Sequence, residues 1–174
     1  QVESLGAKFI EVKSDEDEGT GEGGYAKEVS EEYKIKQGQL IKDTIKDMDL
    51  VISTALIPER PAPILIDKQM VESMAPGSAI IDLAAINGGN CELTKCDEII
   101  LHNNITIDGR SNFPSSMPKH SSQLYSRNIF NLISHIYNDE GNLNHEDEIA
   151  QGSTLIKEGS VSNSMLQKFI DKEI

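Results

Sequence analysis

Leu50-Val51-Ile52-Ser53-Thr54 and Ser78-Ala79-Ile80-Ile81-Asp82-Leu83, with the segment that joins them, decide the fold of this chain. Each is a short, continuous apolar run bounded by turn-forming residues, the pattern of a buried strand. Between them Pro58, Pro61 and Pro63 stiffen a loop, and Asp67 stands where it can cap a short helix over Lys68 to Met74, closed by Pro76-Gly77. Upstream, Val29, Tyr33, Gln37, Leu40, Ile41, Ile45 and Met48 fall near one helical stripe, with Ser30 as cap and Glu31 and Glu32 at the positive end. Downstream come the turn Gly88-Gly89-Asn90 and short strands at Ile99 to Leu101 and Ile105 to Ile107. A longer helix follows, from about Ser121 to Tyr137, with Leu124, Tyr125, Ile129, Leu132, Ile133 and Ile136 on one side. Alternating strands and helices imply a parallel sheet with right-handed crossovers. Strands that are apolar throughout predict helices over both sheet faces, hence a doubly wound α/β fold. Such folds take ligands at the carboxyl ends of their strands, so the loops after Lys13, Thr54 and Leu83 are the ones to watch.

The flanks are less regular. Leu5-Gly6 reads as a helix end and Lys8 to Lys13 as a short strand. Gln1 to Leu5 has the character of a helix interior, so the native polypeptide is expected to begin earlier. The last forty residues are polar, with one weak strand at Thr154-Leu155-Ile156 and an amphipathic end carrying Met165, Leu166, Phe169 and Ile170. The domain boundary is expected near residue 112, with residues 113–174 forming a return helix and a C-terminal segment.

Composition narrows the function. The formal net charge of −13 with no basic stripe argues against nucleic acid and against anionic lipid. No apolar run approaches the ~20 residues that span a bilayer, and no secretory signal is visible. Cys91 and Cys96 lack further ligands at zinc spacing and read as reduced thiols. His102, His120, His135 and His145 are scattered, with no metal or triad spacing, and no metal site or catalytic side chain is assigned.

Gly19, Gly21 and Gly24 satisfy G-x-G-x-x-G literally. The dinucleotide fingerprint works because glycines let a pyrophosphate approach the backbone where a strand turns into a helix. Here the glycines follow Asp15-Glu16-Asp17-Glu18 and enclose Glu22, with no cation to offset them. Carboxylates beside a diphosphate repel it, and the run reads instead as a flexible lid.

Four segments carry a family resemblance: Gly24-Tyr25-Ala26-Lys27-Glu28; Thr54-Ala55-Leu56-Ile57-Pro58 with Pro61-Ala62-Pro63; Asp82-Leu83-Ala84-Ala85 with Gly88-Gly89-Asn90-Cys91-Glu92; and Ser111-Asn112-Phe113-Pro114 with Ser121-Ser122-Gln123-Leu124-Tyr125. In that order they resemble the NAD(H)-binding domain of the alpha subunit of proton-translocating nicotinamide nucleotide transhydrogenases. The resemblance implies a Rossmann-like domain and an oxidoreductase that passes hydride from NADH to NADP⁺, with the NADP(H) held on a partner component. Proton translocation runs through a separate membrane component. It also implies a homodimer on the cytoplasmic side of the inner or plasma membrane, or in the matrix if mitochondrial. The family's phosphate loop and ribose-binding acid fall upstream of Gln1. The resemblance therefore implies a sheet incomplete at its N-terminal side, with residues 1–112 the rear part of the NAD(H)-binding domain and 113–174 packing on a companion domain. The fragment alone is expected to be inactive.

By the same resemblance, Gly24 and Tyr25 belong to a mobile loop that closes on the nucleotide, the ring covering an adenosine face and the glycine supplying the bend. Gln37 is an amide on an otherwise apolar stripe, and either a ligand or a backbone partner accounts for it. Thr54, Ala55 and Leu56 end a buried strand, where small and apolar side chains admit a ribose or adenine. Asp82 ends the next strand, and bracing of a loop is favoured for it over catalysis. Asn90 reads as turn chemistry.

Two other readings stay open. Alanine dehydrogenases share the Thr54 to Pro58 and Gly-Gly segments more loosely, but they carry a catalytic Asp ahead of the Gly-Gly pair, where this chain has Ile86. A non-catalytic nucleotide-binding module would keep the fold alone.

Overall fold

The computed structural model describes residues 2–12, 30–57, 60–137, 140–163, 166–167 and 170–171. The expected lid Asp15 to Gly24, with Tyr25, lies outside the described residues, as do Lys13, Pro58, Met165 and Phe169. The chain divides into two compact units, Gln1–Phe113 and Pro114–Ile174.

In the first unit, α1 (Glu31–Ile45) starts at Ser30, whose hydroxyl accepts from the Tyr33 N–H, as the sequence anticipates. It leads to β1 (Leu50–Ser53), then α2 (Lys68–Ser73), capped by the Asp67 carboxylate on the Met70 N–H at 2.7 Å. The later strands are β2 (Ala79–Asp82), β3 (Ile99–His102) and β4 (Ile105–Asp108). They form one sheet in the order β1-β2-β4-β3. Leu50 pairs with Ala79 and Ala79 with Thr106 in parallel ladders, while β3 runs antiparallel to β4 as an edge strand. The hairpin turn between them is Asn103-Asn104, both with positive φ, the geometry whose twist suits a two-residue connection.

Lys8 to Lys13 forms no strand over its described residues, a correction to the reading above. A strand exists only through a neighbour's ladder, and among the described residues no strand pairs with Ala7 to Val12.

The core lies on one face of the sheet. Ile80, Ile105 and Ile107 pack with Ile45 of α1, with Met70 and Val71 of α2, and with Met74, Ile66 and Cys91. The register places Leu50, Ile52, Ile81, Ile99 and Leu101 on the other face. There Leu50 is 52% exposed, Ile52 57%, Ile99 57% and Leu101 69%. The α/β sheet of mostly parallel strands is therefore as expected, and within the first unit the described helices α1 and α2 pack on one of its faces.

The second unit begins in a short turn of helix, α3 (Phe113–Ser116, which spans the boundary), and continues as α4 (Pro118–Ile136). The helix starts three residues before the expected Ser121, because proline at the first helical position removes only an N–H that would lack a partner anyway. Then follow α5 (Glu148–Ser153) and a small hairpin of β5 (Ile156–Lys157) and β6 (Ser160–Val161). No helix among the described residues is long and apolar enough to cross a membrane.

Candidate functional site at the carboxyl ends of β1 and β2

Two loops meet where the parallel strands β1 and β2 end, and a carboxylate organises them. Asp82, the last residue of β2, is fully buried. Its Oδ1 accepts from the Ala84 N–H at 3.1 Å. Its Oδ2 accepts from the N–H groups of Asn90 and Cys91 at 2.7 and 3.0 Å and from the Thr94 hydroxyl at 2.7 Å. A buried charge is tolerated only with such donors around it. Asp82 thus braces the loop between β2 and β3, the role favoured by its position in the sequence. Gly89 lies against it, with φ at +86° and a virtual Cβ only 2.7 Å from Oδ2.

Asn90 is also fully buried. Its carboxamide pairs with the Ala55 peptide in both directions, Oδ1 accepting from the Ala55 N–H and Nδ2 donating to the Ala55 carbonyl, each at 2.9 Å. Nδ2 donates again to the Pro63 carbonyl at 2.8 Å. The main-chain carbonyl of Asn90 accepts from Leu65 and Ile66, and that of Asn87 from Ala62. The loop after β1 is therefore stitched to the loop after β2 along most of its described length. This is more than turn chemistry, and the sequence reading missed it.

The expected binding residues separate into groups. Thr54, Ala55 and Leu56 stand together at the end of β1, Thr54 and Leu56 exposed and Ala55 half-buried. Just before them the Ser53 hydroxyl is buried with no hydrogen-bond partner among the described residues. Ser53 sits in register with Asp82, and a serine at the end of an apolar run is too ordinary to have marked it in the sequence. Gln37 lies half-buried in the middle of α1, and its amide has no hydrogen-bond partner among the described residues, so the backbone partner considered for it is not found. Gly24 and Tyr25 are outside the described residues.

At the end of β4, Arg110 makes a forked contact with Asp108, Nη2 at 2.6 Å and Nε at 3.0 and 3.1 Å from the two oxygens, and its guanidinium lies 5.1 Å from the Phe113 ring centre. The hydrogen bonds from Arg110 hold the Asp108 carboxyl below its ordinary range. Burial pushes the Cys91 thiol up, which suits an inert core residue. No cluster of three metal-ligating side chains occurs among the described residues.

Residues 1–164 match the family model described as alanine dehydrogenase/PNT, C-terminal domain. The NAD(P) transhydrogenase subunit alpha of Haemophilus influenzae is 44% identical over 163 residues, 91% of this chain and 32% of that one. A transhydrogenase structure from Sinorhizobium meliloti superposes with a TM-score of 0.64 at 36% identity, covering 92% of this chain and 41% of that one. The alanine dehydrogenase of Bacillus subtilis matches more narrowly, at 35% identity over 89 residues, 47% of this chain and 23% of that one. The chain spans 32% to 44% of the length of the transhydrogenase alpha relatives it matches. With that family match over residues 1–164, the chain belongs to the alanine dehydrogenase/PNT C-terminal domain family.

Proposed function

We propose that this chain is part of the NAD(H)-binding component of a proton-translocating transhydrogenase, which transfers hydride from NADH to NADP⁺ held on a partner component. The observation that carries the reading is the loop Thr54 to Leu56, fixed at the carboxyl ends of two parallel strands in a chain similar to transhydrogenase alpha subunits. The residues present fit one portion of a dinucleotide. The exposed Thr54 hydroxyl offers a hydrogen bond to a ribose, and exposed Leu56 offers an apolar contact to a ring. Gly24, Tyr25 and Gln37 are assigned to the same nucleotide, the first two as a closing lid. When bound, the nicotinamide supplies the hydride chemistry, and the protein's part is to hold and orient it.

In this reading residues 1–112 are the rear of the nucleotide domain and residues 113–174 return to a companion domain. The whole protein works as a homodimer beside a membrane component, on the cytoplasmic or matrix face. The choice of NAD(H) over NADP(H) follows from charge: at −13, with no cluster of arginines or lysines to receive it, a 2'-phosphate is unwelcome. Ile86 is exposed and has no acid function at the place where an alanine dehydrogenase needs one, which disfavours that alternative.

The test uses the full-length subunit. It is expected to bind NADH, followed by nucleotide fluorescence, and to exchange no hydride with NADP⁺ until the NADP(H)-binding component is added. NADPH-to-NAD⁺ transfer by the subunit alone would overturn the proposal.

A further inference from the structure

We infer that Asn90 is a positioning residue for the nucleotide loop, a side chain that continues the β1–β2 ladder where the strands themselves stop. The inference rests on the proposed nucleotide site. The paired register of β1 and β2 ends at Ser53 and Asp82, and the last ladder-like bond runs from the Leu83 N–H to the Ser53 carbonyl. The next backbone groups of the β1 strand, the N–H and C=O of Ala55, would then need another neighbour. A carboxamide has the same donor and acceptor as a peptide, and that of Asn90 satisfies both at 2.9 Å.

Every polar group of Asn90 is committed. Its N–H goes to Asp82 Oδ2, its carbonyl to Leu65 and Ile66, and its side chain to Ala55 and Pro63. The residue therefore transmits the placement of a fully buried carboxylate to a peptide 35 residues earlier in the chain. With the Ala55 peptide held by protein, ligand contacts fall to the residues on either side, Thr54 and Leu56, both exposed. Neither Asn90 nor Asp82 is exposed, so neither touches the nucleotide. Their effect on it passes through the position of the Thr54–Leu56 segment.

Three further amino acids separate the alternatives at position 90. Aspartate would keep the acceptor for the Ala55 N–H but turn a charge toward two carbonyl oxygens. Alanine would strand three polar groups at once. Serine keeps one short hydroxyl in place of the amide and is the mildest break.

The experiment measures steady-state kinetics of the assembled transhydrogenase, made from the full-length subunit and its partner components, with Asn90→Ser. Ile80→Val serves as a control that loosens the same sheet's core without touching the loop. Losing two of the side chain's bonds is expected to raise the KM for NADH roughly tenfold while kcat at saturation and the KM for NADP⁺ change little. Amide exchange at Ala55 is expected to accelerate in the same variant. Ile80→Val is expected to lower the melting temperature and leave the KM for NADH unchanged. Should Asn90→Ser fail to fold, Thr94→Val, which removes one bond from the Asp82 brace, is expected to raise the same KM by a smaller factor.

A KM for NADH equal to that of the unaltered enzyme, in a variant whose Ala55 amide exchanges faster, would overturn the positioning role alone. The same rise in the Ile80→Val control would overturn it too, by reducing the effect to general destabilisation. Absence of NADH binding in the unaltered subunit would overturn both this inference and the function on which it rests.

Discussion

Gly89 shows how narrowly the loop after β2 is specified at the level of single residues. Its φ of +86° is costly for any residue with a Cβ, and that Cβ would meet Asp82 Oδ2 at 2.7 Å and the Thr94 side chain at 2.9 Å. Gly89→Ala is expected to destabilise the unit by about 2–4 kcal/mol, from a left-handed backbone cost and local overpacking together; a thermal melt within a degree of the unaltered protein would contradict this. By contrast Gly88, with φ at +101°, has open space where a Cβ would lie. The sequence made Asp82 readable, because an acid that ends an apolar strand must find donors close by, and its donors lie within twelve residues. The pairing of Asn90 with Ala55 was not readable in the same way. It depends on two loops meeting in space, and nothing local to Gly88-Gly89-Asn90 distinguishes a turn asparagine from one that reaches across. Ser53 was likewise hidden, since a serine at a strand end is ordinary until its hydroxyl proves to be buried without a partner.

Among the elements, those with local signals were found and those that depend on neighbours were not. Ser30 and Asp67 announced the starts of α1 and α2, and both make the expected cap. The strand anticipated at Lys8 to Lys13 finds no ladder to join among the described residues, and α5 is too short for periodicity to reveal it. Its cap, however, is strong. The Asp147 carboxylate accepts from the Ile149 and Ala150 N–H groups, both at 2.9 Å, and lies 3.0 Å from His135 Nε2 of α4. The hydrogen bond from the Ala150 N–H is the largest influence holding this carboxyl below its ordinary range, with the bond to and charge of His135 adding to it. A carboxyl whose folded pKa is lowered stabilises above its unfolded pKa and loses that contribution as the pH falls through the folded value. The α5 start is therefore expected to stay intact at neutral pH and to loosen only in acid, below the ordinary carboxylate range. Following the Ile149 and Ala150 amide resonances against pH checks this, and Asp147→Asn is expected to flatten that titration. A transition centred at or above the ordinary aspartate range would contradict it.

Among the described residues of the first unit, the sheet has one well-filled face and one whose edge strands leave large apolar side chains exposed. The continuous apolar runs of β1 and β2 called for cover on both sides, and the exposed row of Leu50, Ile52, Ile99 and Leu101 is where the sequence asks for more packing than the described helices provide. Exposed apolar side chains of this kind attract apolar dyes and other copies of the chain. In the 174-residue chain, Ile52→Thr is expected to reduce binding of an apolar fluorescent dye and self-association while leaving the melting temperature nearly unchanged, since the side chain has little packing to lose. A marked drop in melting temperature would mean that the face is covered in solution. The two-residue turn at Asn103-Asn104 has a consequence for time as well as shape. The β3–β4 hairpin forms in about 1–10 μs, whereas β1 and β2 must find each other, and β2 must find β4, across connections of 25 residues (54–78) and 22 residues (83–104). The antiparallel edge is therefore the natural seed, offering β4 as the template on which β2 and then β1 are laid down. A ribosome releases these segments in the opposite direction, β1 first, so the earliest strands to be made wait as unpaired chain until the last of the sheet emerges.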